Sequence, residues 1–158
     1  EEQWGNPSIL RTALDEIWEI LQGKPVDVNT IERLKKESYA DDVVPHSDDF
    51  SGYVGEAQEA ASAICYTLNT CQDSTSEMDV KVCKCIAFTL EFFKDWDETL
   101  ENQEQMKAIA RHPFTIREMA KQNQDLRKLR EADRLSPELL EWLRTSSYNN
   151  GKSLIDLS

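Results

Sequence analysis

Glycine is scarce in this chain, with five among 158 residues. They are too few and too scattered to cradle a phosphate, and neither the G-x-x-x-x-G-K-[ST] loop nor a Gly-rich turn after a strand occurs. A G-x-S-x-G elbow and an H-E-x-x-H helix are missing as well, so no recognised catalytic signature is present. The two histidines, His46 and His112, lie far apart in sequence, and no C-x-x-C pair joins Cys65, Cys71, Cys83 and Cys85. A zinc site is therefore not expected. No run approaches the ~18 apolar residues of a membrane-spanning helix. No charged-then-apolar leader opens the visible chain, and Glu1 is no initiator, so a chain shortened at its N-terminus is expected.

Positive charge is missing from one long stretch. The formal net charge is −12, from 30 acids against 18 bases. Residues 37–80 hold ten acids and no Lys or Arg, whereas residues 104–134 hold eight bases against five acids. Duplex DNA or RNA is repelled over most of such a surface, which argues against a nucleic-acid reader. Solvated faces with intramolecular complementarity explain the pattern in the simplest way. An acidic docking face that steers a basic partner explains it too, with Asp41, Asp42, Asp48, Asp49, Glu56 and Glu59 as the contact residues.

What is present reads as helix throughout. Asn6 and Pro7 open a first helix whose stripe is Ile9, Leu10, Ala13, Leu14, Ile17, Trp18 and Leu21, and Gly23 and Pro25 stop it. Trp18 is expected in the core. Asn29 and Glu32 form a capping box for a second helix that turns Ile31 and Leu34 inward and dissolves over residues 39–42. After a polar loop, a third helix over residues 54–70 places Ala57, Ala61, Ile64 and Leu68 on its face. A fourth is expected over residues 77–95, and a fifth from Asn102 to the break at Pro113. A sixth carries Ile116, Met119, Ala120, Leu126 and Leu129, and Ser136-Pro137-Glu138 starts a seventh with Leu139, Leu140, Trp142 and Leu143. The expected fold is all-α: residues 1–158 as one compact bundle of about six to seven helices with a short extended C-terminal tail.

Candidate chemistry is thin. Asp41, Asp42, His46, Asp48 and Asp49 could hold a hard cation, and a metal-dependent enzyme using residues 41–49 is one alternative. The stretch lacks the D-x-[DN]-x-[DN]-G spacing of a calcium loop, and a solvated acidic loop is the simpler expectation. Asp15, Glu16 and Glu19 line one helix, but the E-x-x-H motif of di-iron bundles is absent. Arg117, Lys121, Arg127, Lys128 and Arg130 could form a basic patch, but Arg127, Lys128 and Arg130 do not share a single face and Glu118, Asp125 and Glu131 are interspersed, so helix-surface ion pairs are expected. The four cysteines are expected to be buried, reduced thiols in a cytoplasmic protein without cofactor or metal.

Four blocks carry a family resemblance: "GNPSILRTALDEIWEIL", "SDDFSGYVGEAQEAASAICYTL", "HPFTIREMAKQNQDLRKLREA" and "LRTSSYNNGKSLIDL". Their order and spacing resemble the bacterial domain-of-unknown-function family numbered 416 over nearly the whole visible chain, without the family's additional N-terminal helical segment. The tail departs from the family's small-Ser-Asn-Ile-Gly ending, with Ser153-Leu154-Ile155-Asp156 in its place. The resemblance implies a compact α-helical bacterial protein with no established activity or functional residues, associated with signalling proteins such as histidine kinases. The expected role is non-catalytic protein–protein binding to a basic partner, as a regulatory or signalling adaptor. An immunity protein that neutralises a basic toxin such as a nuclease is the alternative.

Overall fold

The computed structural model describes residues 6–44, 54–73 and 102–146. Among them are six helices and no strand: α1 (Ser8–Leu21), α2 (Val28–Ser38), α3 (Val54–Gln72), α4 (Asn102–Arg111), α5 (Pro113–Glu131) and α6 (Pro137–Ser146). The expected helix over residues 77–95, with Cys83 and Cys85, and the C-terminal tail lie outside the described residues. The chain divides into two compact units, Glu1–Asp95 and Trp96–Ser158.

In the first unit α1, α2 and α3 each pack against the other two. Asn6 Oδ1 accepts from the Ser8 amide at 3.1 Å, so the expected capping residue does its task beside Pro7. Gly23 ends α1 with φ of +104°, donating to the Ile20 carbonyl at 2.9 Å while Lys24 donates to Glu19 at 3.0 Å. That bond pair is a Schellman ending, which only glycine enters without strain. The cap of α2 is Asp27 rather than the expected Asn29: its carboxylate accepts from the Asn29 amide at 3.1 Å and from Thr30 Oγ1 at 2.6 Å. An ionised acceptor at a helix N-terminus outcompetes a neutral amide, and these bonds hold the Asp27 carboxyl below its usual range. Glu32, expected to close the box, turns instead to Lys35 and to Gln72 of α3.

Ala13, Ile17, Ile31, Leu34 and Leu68 form the core of this unit, flanked by Ile9, Leu14, Ile20, Ile64 and Cys71. Complete burial of Ile31, Leu34 or Leu68 contributes about 1.5–3 kcal/mol each. Trp18 is only half-buried and Leu21 is 43% exposed, which corrects the expected stripe. The helix is rotated toward Ala13 and Ile17, because a small residue at the three-helix contact lets the backbones approach, where an indole would hold them apart.

In the second unit α4 packs on α5 and buries Ile109. His112 Nδ1 accepts from the Phe114 amide at 3.3 Å ahead of Pro113, so this histidine serves as a helix cap. Ser136 Oγ accepts from the Leu139 amide at 3.2 Å to open α6, which buries Leu140. The expected inward face of α5 is not realised. Ile116, Met119 and Leu126 are 56%, 46% and 50% exposed, while Lys121 and Asp125 pair on the half-buried side.

Candidate acidic docking face

The acidic stretch begins as α2 ends. Ala40 donates to the Glu37 carbonyl, and Val43 and Val44 both donate to the Ala40 carbonyl at 2.8 and 3.0 Å. Val44 is buried and anchors this turn from below. The Asn6 amide donates to the Asp42 carbonyl at 2.9 Å, a main-chain bond that ties the turn to the start of α1. The side chains of Asp41 and Asp42 are left exposed.

Tyr39 joins the turn to α3, with its hydroxyl 2.8 Å from Ser62 Oγ. Its ring is 50% exposed. Partial burial raises the phenol above its ordinary pKa, the Ser62 bond opposes this, and the charge of nearby Glu59 adds to the rise. Glu59 is half-buried on α3. Packing of α2 on α3 joins Tyr39 to Ser62, one helical turn after Glu59, while Asp41 and Asp42 follow Tyr39 in the chain. Glu56 belongs to α3, and its side chain lies outside the described residues, as do Asp48, Asp49 and His46.

Beneath this face the chemistry is quiet. Cys65 is buried, its thiol faces the Lys35 carbonyl at 3.8 Å, and burial pushes its pKa up to about 11. Thiolate is the nucleophilic form, so Cys65 is held inert. Cys65 and Cys71 are free thiols. Ser38 Oγ is fully buried beside Cys65 with no oxygen or nitrogen partner among the described residues. No group of three or more His, Cys, Asp or Glu among the described residues could hold a metal ion. Among them, too, no helix is long and apolar enough to cross a membrane.

The basic residues of α5 part company, a separation that one-dimensional spacing only hinted at. Lys121 pairs with Asp125, and the ammonium groups of Lys121 and Lys128 stand 5.6 and 5.7 Å over the Trp142 ring. Arg117 stacks over Phe114 at 4.8 Å. Arg127 and Arg130 instead line a shallow surface groove with Asn123, Leu126 and Glu131. The expected surface ion pairs are realised for Lys121, and the other cations use aromatic rings or solvent.

The profile of the family described as "Protein of unknown function (DUF416)" matches residues 1–158. The crystal structure of a DUF416 family protein from Shewanella baltica OS155 superimposes with a TM-score of 0.80 at 25% identity, covering 97% of this chain and 78% of that one. No curated protein matches the chain. The four sequence blocks, the all-helical fold and the profile agree, and the chain belongs to the DUF416 family.

Proposed function

We propose that this chain is a non-catalytic binding protein of the bacterial cytoplasm whose acidic face, centred on Tyr39, Asp41, Asp42 and Glu59, docks a basic surface of a protein partner. The role that follows is that of a regulatory adaptor. The carrying observation is the coincidence of two features: residues 37–80 contain no Lys or Arg, and Asp41 and Asp42 are exposed on a turn that main-chain bonds help to hold. Clustered like charges raise self-repulsion, and a basic partner relieves it while its encounter is accelerated. The free thiols of Cys65 and Cys71 fit a reducing compartment.

The test is an affinity pull-down from the native cell with the parent chain and with Asp41→Lys/Asp42→Lys, followed by binding measurements on the purified captured protein. The expected result is a protein with a basic surface, retained by the parent, lost by the variant and released by salt. Equal retention by both forms would remove the acidic face from consideration.

A further inference from the structure

Helix α5 carries its apolar side chains on the outside. Ile116, Met119 and Leu126 are about half exposed, whereas Glu118, Lys121, Gln122 and Asp125 are half-buried. At ~100° per residue, Ile116, Met119, Asn123, Leu126, Arg127 and Arg130 fall on one arc of about 100°. The rotation of the helix is set within its own unit, from the other side. There Lys121 and Lys128 lie over Trp142 of α6, and Lys121 pairs with Asp125. From one end to the other the arc is a strip about 21 Å long. Its first part is apolar, and its last turn carries Arg127 and Arg130.

The charge of the strip is local. Arg127 and Arg130 line the groove at its end with Glu131, two positive charges against one negative, and neither arginine has an ion-pair partner among the described residues. The complement is therefore an apolar surface that ends in carboxylates, which guanidinium groups bind in the stronger class of hydrogen-bonded pair. Two copies of the strip laid face to face would bring four guanidinium groups and no carboxylate from either arc, so the complement belongs to another chain. A chain of net charge −12 is repelled by nucleic acid and by anionic lipid, which leaves a protein.

We propose that the outer arc of α5 docks an amphipathic helix of a partner protein, laid antiparallel, with carboxylates in its first turn and an apolar stripe in the turns that follow. Acids in a first turn stabilise their own helix, and the antiparallel direction sets that end against Arg127 and Arg130 while the stripe covers Leu126, Met119 and Ile116. This is a second binding face, carried by the other unit, and it does not depend on the acidic-face reading above.

Fluorescence anisotropy of the full chain with two labelled peptides tests this. Both peptides are helices of about four turns with the same leucine stripe, and their first turn carries Glu in one and Gln in the other. The parent should bind the Glu peptide at least ~3-fold tighter than the Gln peptide. Arg127→Gln/Arg130→Gln should bind the two alike, which separates the pairing from any difference in peptide helicity. Met119→Ser/Leu126→Ser should bind both at least ~10-fold more weakly, because the stripe loses its apolar cover. All four positions are exposed, and thermal unfolding checks that both variants fold. No binding of either peptide, equal binding of the two by the parent, a preference kept by the arginine variant, or undiminished binding by the serine variant overturns the proposal. A dimeric parent that the serine variant turns monomeric would put a second copy on the strip and overturn it as well. So would sedimentation of the parent, but not of the serine variant, with phosphatidylglycerol vesicles.

Discussion

Tyr39 and Ser62 meet at 2.8 Å through their hydroxyl groups, and this one bond links the residue after α2 to the middle of α3. It holds the acidic turn against the unit that presents it. A net hydrogen bond is worth about 0.5–1.5 kcal/mol, and this pair is partly solvated, so the lower end applies. Tyr39→Phe should lower the urea midpoint slightly and weaken partner binding, as calorimetry would record. If neither quantity moves, the bond has no part in placing the turn.

Leu68 sits at the centre of the three-helix contact with no exposure at all. Leu68→Ala should cost about 2–5 kcal/mol through the cavity it leaves. Trp18→Ala, at a half-buried position, should cost less despite removing a larger side chain. Paired denaturant titrations decide the order, and a costlier Trp18 substitution would return the indole to the core.

These two positions show what periodicity carries. Ile31 and Leu34 were legible because α2 has a narrow apolar stripe between charged flanks, so only one rotation buries it. In α1 the apolar residues cover a broad arc, and several rotations satisfy the pattern. Contact with α2 and α3 then selects Ala13 and Ile17 over Trp18. Helix α5 departs from its sequence pattern for a different reason. Apolar residues at helical spacing imply an inward face, but Trp142 draws the lysines and turns the strip outward. The acidic face was legible as a count of charges. Its geometry was not, since the Tyr39–Ser62 bond that joins the acidic turn to α3 exists only through the packing of α2 on α3.

Gly23 has open space around the place a Cβ would occupy, so crowding does not explain its presence. Its φ of +104° does. Gly23→Ala should therefore destabilise the protein by about 1 kcal/mol through backbone strain alone. Thermal unfolding of this variant beside Gly23→Asn separates the causes, because asparagine tolerates left-handed backbone better. Equal losses for both would point away from strain.

The Cys65 thiol gives the fold a pH dependence of definite sign. Its pKa rises from the ordinary 9.0 to about 11 on folding, because burial penalises the thiolate. Its stabilising contribution is complete below pH 9.0 and is lost as pH climbs through about 11. Cys65→Ala lacks the group, so the stability difference from the parent should shrink across that window. Native Cys65 should also resist a thiol reagent at about pH 8 and react on unfolding. Prompt labelling of the native thiol would contradict the burial.

Binding kinetics offer the sharpest test of the acidic face. Charges at the rim of an interface act chiefly on encounter, whereas buried anchors act on escape. Asp41 and Asp42 are exposed, and the bond that Asp42 makes with Asn6 uses its carbonyl, so an amide at position 42 leaves that bond in place. Asp41→Asn/Asp42→Asn should then slow association with a basic surface while the dissociation rate changes little. The parent's association rate should fall steeply with salt, and the variant's less so, because fewer charges remain to be screened. Surface plasmon resonance across a salt series measures both slopes. Parallel slopes would place the steering charges on another part of the chain and leave Asp41 and Asp42 as solvated turn residues.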